Sequence, residues 1–113
     1  MSARRDPGII LDEILDSIEA ITLYTRGLDS ESFSADRKTF DATCKQIENI
    51  GELVGQLPES IRAAHAHIPW QRVKDMRNIL VHAYHGIDPD IVWDVVCNKL
   101  DLIKKALLES RKQ

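Results

Sequence analysis

Between positions 77 and 84 the sequence reads Arg-Asn-Ile-Leu-Val-His-Ala-Tyr, and three of these side chains can do chemistry. Arg77 is a fixed cation whose planar fork holds two phosphate oxygens at once. His82 takes or gives a proton near neutrality, its unperturbed pKa being about 6.5. Tyr84 adds a phenol. Together they suit a site that binds an anion and moves a proton beside it. At roughly 100° per residue, Arg77 and Tyr84 fall almost in line, two turns apart. Asn78 and His82, at i and i+4, stack on an adjoining stripe, where Asn78 can orient the imidazole or donate to phosphate. Val73, Met76, Leu80 and Ala83 take the opposite side. The segment thus predicts a helix with one buried face and a polar arc. Folding needs only the buried face.

The elements that must position this arc are helical throughout. Residues 7–26 predict a first helix: Ile10, Leu11, Ile14, Leu15, Ile18 and Ile21 form a broad apolar stripe, and Gly27 stops it. Residues 28–33 read as a polar loop. A second helix is expected over 34–57, capped by Ser32 or Ser34, with a stripe of Phe40, Cys44, Ile47, Ile50, Val54 and Leu57. Gly51 and Gly55 share one face of it, where another backbone can approach. Glu52 adjoins that face and, on residue type alone, is a solvated carboxylate. Pro58 opens a short third helix to about His65. Pro69 and Trp70 start the fourth, which carries the arc. Asp88-Pro89-Asp90 starts a fifth, running to about 109 with Ile91, Val92, Val95, Val96, Leu100, Ile103 and Leu107 on its buried face. The fold class is therefore all-α, an antiparallel bundle of about five helices in one domain spanning 1–113, with a frayed tail at 110–113.

Composition sets further bounds. Hydrophobic residues are 43% and charged residues 29% of 113, as in globular chains. No apolar run nears the ~18 residues of a membrane span, and the N-terminus does not read as a signal peptide. Cys44 and Cys97 are isolated and expected as small core residues in a reducing compartment, so a cytoplasmic protein without disulfides is expected. The net charge of −3 argues against a general nucleic-acid binder. Between Arg62 and His85, however, Arg62, Arg72, Lys74 and Arg77 face Asp75 alone, and all four histidines lie in that window. That distribution suits a chain that engages anions at one place. His65, His67, His82 and His85 lack Cys or acidic neighbours at zinc spacing, so neither a metal nor another cofactor is expected.

The pattern Arg-(x)4-His-x-Tyr resembles the signature of the HEPN superfamily, and within it the HepT-like toxins. Ile50-Gly51-Glu52, Ile68-Pro69-Trp70, Ile87-Asp88 and Val92-Trp93 match in order around it, so the resemblance covers most of the chain. It implies a metal-independent RNA endonuclease in which Arg77 and His82 are catalytic and Asn78 and Glu52 support them, Glu52 near Arg77 or the partner protomer. Cleavage of RNA without metal draws its nucleophile from the substrate's own 2′-hydroxyl, which leaves the protein only protons and charge to manage. No carboxylate cage accompanies the motif. One helix supplies a single Arg and His, which diverge by roughly 140° in an ideal helix. Two-fold symmetry would pair two sets across an interface, and the resemblance implies such a homodimer with a composite cleft. It further implies a cognate minimal nucleotidyltransferase antitoxin that transfers AMP to Tyr84. Each added phosphate would compete for Arg77. Arg72, Lys74 and His85 are candidates for further RNA contacts. The alternative is a non-catalytic nucleotide-binding module that docks a nucleotidyltransferase, since anion binding and transition-state stabilisation ask for the same residues.

Overall fold

The structure is a computed structural model that describes residues 6–82 and 87–111, the side chains of 77–82 and 111 excepted. Helix α1 spans Pro7–Thr25. Its first turn is fixed by Asp6, whose carboxylate accepts the Gly8 N–H at 2.8 Å, and by Pro7 inside the turn. Ile10, Leu11, Ile14, Ile18 and Ile21 are buried at three- and four-residue spacing. Full burial of a side chain such as Ile14 contributes about 1.5–3 kcal/mol. Gly27, at φ +80°, ends the helix where the sequence places its stop.

The stretch expected as a loop after Gly27 folds differently. Ser30–Ala35 forms a short helix, α2, closed by a reciprocal cap: Asp29 accepts the Ser32 N–H at 2.8 Å while Ser32 Oγ accepts the Asp29 N–H at 2.9 Å. The Ser32 N–H and then its hydroxyl hold the Asp29 carboxyl below its ordinary range. Six residues are too few to show helical periodicity, so only the cap announces this turn. Phe33 anchors it with no exposed surface, its ring 5.8 Å from Phe40 and 4.9 Å from Trp93.

Helix α3, Arg37–Gly55, is the central strut, packed by α1 on one side and α5 on the other. Its cap is Asp36 rather than either serine: the carboxylate accepts the Thr39 hydroxyl at 2.7 Å and the Thr39 N–H at 3.1 Å, and both depress its pKa. Helix α4, Glu59–Ala64, follows Pro58, which stands just ahead of the first turn. Trp70 opens α5, Trp70–His82, and is buried; its indole N–H donates to the carbonyls of Arg62 and His65 at 3.0 and 3.1 Å. That forked bond fixes where α5 leaves the connector.

Asp88 caps α6, Pro89–Asp94, as its sequence predicts, accepting the Asp90 N–H at 2.9 Å. The long fifth helix is interrupted, however. Val95–Lys99 is a π-helical turn, with the Leu100 N–H donating to the Val95 carbonyl, and α7 continues over Leu100–Arg111. The turn alters which side chains face the core. Val92, Val95, Leu100, Ile103 and Leu107 are buried, the step from 95 to 100 matching the five-residue π repeat. Cys97, expected in the core, is exposed within this turn, and Ile91, also expected inside, is 62% exposed in the first turn of α6. No helix is long and apolar enough to cross a membrane among the described residues, and no strand occurs among them.

The two cysteines therefore differ chemically. Cys44 is buried, and burial first, then the nearby Asp41 carboxylate, pushes its thiol up to about 11. Since the thiolate is the reactive form, brief native treatment with iodoacetamide should modify Cys97 and spare Cys44. Intact mass and peptide mapping will show one adduct; equal labelling of both would contradict this packing.

Candidate active site

Helix α5 carries the Arg77–His82 motif, and its backbone is helical throughout that motif. The side chains of Arg77, Asn78 and His82 lie outside the described residues, as do Tyr84 and His85 altogether. Their surroundings can be built from the turns that precede them. Gln71, Asp75, Asn78 and His82 follow one another at four-, three- and four-residue steps, which keeps them in register on one helical stripe.

Gln71 and Asp75 border a cleft of about 470 Å³ between α3 and α5, lined also by Gly51, Glu52, Gly55, Gln56 and Lys74. Gly51 is buried where α3 meets α5. Gly55 is exposed, and a methyl group built there would lie 3.5 Å from Lys74 Cε, an ordinary contact. Sterics at Gly55 therefore do not demand glycine; a side chain there would narrow the cleft beside the lysine stem. The Gln71 amide donates to Asp75 Oδ1 at 2.9 Å, orienting the carboxylate on the cleft wall.

Glu52 is exposed on α3 and also lines a second depression of about 360 Å³ against α1, with Glu13, Asp16, Ser17, Asn49 and Leu53. The α1 side of Glu52 adds only carboxylates, Glu13 and Asp16, whereas the α5 side adds Lys74 beside Asp75. The α5 side is therefore the less repulsive of the two to an anion. Asp75 and Glu52 are two carboxylates beside the motif that spacing alone does not bring together, because their meeting depends on how α3 and α5 pack. Among the described residues, no group of three or more His, Cys, Asp or Glu is placed to hold a metal.

The basic window seen in sequence is not one patch. Lys74 faces this cleft, whereas Arg72 lines a separate groove toward α7. Arg62 is half-buried on α4, its Nε sealed without a hydrogen-bond partner. His65 is buried, with Nε2 2.8 Å from Ser110 Oγ and Nδ1 3.9 Å from Glu109, and so ties α7 to the α4–α5 connector. His67 is exposed, its ring 6.1 Å from that of His65. Of the sequence candidates with described side chains, Lys74 and Glu52 line one cleft between α3 and α5; Arg72 does not.

Comparison with known proteins bears on the same segment. The model of the family described as "Ribonuclease HepT-like" matches residues 14–109, from the middle of α1 almost to the end of α7. A Thermococcus cleftensis protein named "Probable ribonuclease HepT" is 34% identical over 102 residues, covering 90% of this chain and 93% of its own. A Methanocaldococcus jannaschii protein named "Gamma-glutamylcyclotransferase and putative RNase" is 37% identical over 106 residues; the match covers 94% of this chain but 48% of that protein. A Caldanaerobacter subterraneus protein named "Putative RNase" is 30% identical over 105 residues, with 93% and 94% covered. No solved structure matches. With nearly its whole helical body matched, motif helix included, the chain belongs to the HepT-like ribonuclease family.

Proposed function

We propose that the chain is the toxin of a toxin–antitoxin pair and acts as a metal-independent RNA endonuclease. The observation that carries this reading is the family match across residues 14–109, which includes the helix bearing the Arg77–His82 motif; the turn ahead of that motif lines the α3–α5 cleft. In the proposed chemistry the 2′-oxygen bonds to phosphorus as the bond to the 5′-oxygen breaks, and His82 takes the proton of the 2′-hydroxyl or gives one to the leaving 5′-oxygen. Arg77 stabilises the charge that grows on the phosphate. Asn78 and Glu52 position the pair, and Lys74 draws the backbone of the RNA into the cleft. Because one helix presents one Arg and one His on diverging stripes, the working site is a composite of two protomers, with motif helices facing across a two-fold axis. A cognate minimal nucleotidyltransferase silences the toxin by adding AMP to Tyr84, whose new phosphates compete for Arg77.

End-labelled RNA incubated with the purified protein in excess EDTA tests the activity. Cleavage is expected to persist. Binding without cleavage would favour the second reading, a non-catalytic nucleotide-binding module. The Tyr84 assignment is tested separately by co-expression with a minimal nucleotidyltransferase that neutralises the wild type: Tyr84→Phe should stay unmodified in mass spectra and remain toxic, and full neutralisation of that variant would sink the assignment.

A further inference from the structure

Among the described residues, the face of α5 opposite the cleft also borders a depression. Helix α5 packs along α3, and α7 packs against α1 and the π-turn, so a groove of about 140 Å³ opens between α5 and α7. Ile47 and Ile50 of α3 form its floor, Val73 and Met76 one wall, Leu102 and Ile103 the other. Leu102 is 47% exposed, although it sits beside this apolar floor. The π-turn supplies Val95 and Lys99 to the same groove. Such turns concentrate at functional positions.

The charges on the groove point one way. Its charged lining residues, Arg72 and Lys99, are both cations and both exposed. We propose that this groove docks an amphipathic helix of a protein partner, with aliphatic residues on the floor and acidic residues meeting Arg72 and Lys99. Anchors at i, i+3/i+4 and i+7 suit a trough walled by two helices. RNA fits less well, because the described lining has no aromatic ring on which a base could stack. This inference is independent of the nuclease reading, since it uses neither Arg77 nor His82.

The test is a selection of phage-displayed random peptides of about 16 residues, roughly four helical turns, on the wild-type protein, with depletion on Leu102→Asp. Leu102 is half-exposed, so this variant should keep the wild-type circular dichroism spectrum. Selected peptides should carry aliphatic residues at helical spacing flanked by Asp or Glu. Their affinity, read by fluorescence polarisation, should fall about tenfold or more for Arg72→Glu/Lys99→Glu and weaken with salt. Failure to enrich such peptides, or equal affinity for the charge-reversed variant, would overturn the proposal. So would conversion of a wild-type dimer to monomer by Leu102→Asp, which would assign the groove to a second copy of the chain. Loss of RNA binding by the charge-reversed variant with peptide binding unchanged would assign it to nucleic acid instead.

Discussion

Replacing His82 by alanine should slow RNA cleavage by about 10²–10⁴-fold, the range that a positioned general acid or base contributes, while RNA binding changes little. Binding and proton transfer are separate tasks. In the proposed site the polyanion is bound by permanent cations, Arg77 and Lys74 on the motif helix, which the substitution leaves in place. Proton transfer draws on the one group whose unperturbed pKa lies near neutrality. Arg77→Ala should differ in kind, weakening both binding and rate, because one guanidinium serves the ground-state phosphate and the charge that grows on it. Single-turnover rates at saturating RNA, beside binding measured by filter retention, keep the two effects apart. If His82→Ala lost binding and rate in equal proportion, the imidazole would be a phosphate contact and not a proton carrier.

Phe33→Ala should destabilise the fold by about 3–5 kcal/mol, the usual cost of emptying a well-packed aromatic site. Phe33 has no exposed surface and wedges α2 against Phe40 of α3 and Trp93 of α6. Removing the ring strips one partner from each of those two aromatics. The cost is a large share of the stability of a domain this size. Urea denaturation followed by tryptophan fluorescence will measure it, Trp93 reporting from 4.9 Å away. A loss below about 1 kcal/mol, typical of surface positions, would mean that α2 is not locked to the body as described.

The two predictions rest on features of unequal legibility. Helix α1 and the start of α6 could be read directly, because Ile10, Ile14, Ile18 and Ile21 keep strict helical spacing ahead of Gly27 and Asp88-Pro89 is an explicit start signal. Helix α2 could not. Its residues are mostly polar and too few for periodicity, and its one large apolar residue, Phe33, is what holds it. The π-turn was equally hidden: the sequence around Val95–Lys99 suits an unbroken helix, and only packing decides that Cys97 turns outward. At the site, spacing alone singled out Arg77, Asn78, His82 and Tyr84. It could not reveal that Gln71, Asp75 and Lys74 meet Gly51 and Glu52 across a cleft, nor that Arg72 leaves the patch for another groove. Those facts depend on the rotation of α5 against α3, which is a property of two helices together.

The central claim is that the RNA supplies its own nucleophile while an arginine and a histidine manage charge and protons. It is tested most directly by an oligonucleotide cut at a mapped bond, remade with a single 2′-deoxy nucleotide on the 5′ side of that bond. The account predicts that cleavage at the altered link vanishes while other RNA links are still cut. Undiminished cleavage at the 2′-deoxy position would show that another nucleophile attacks, and would contradict the mechanism.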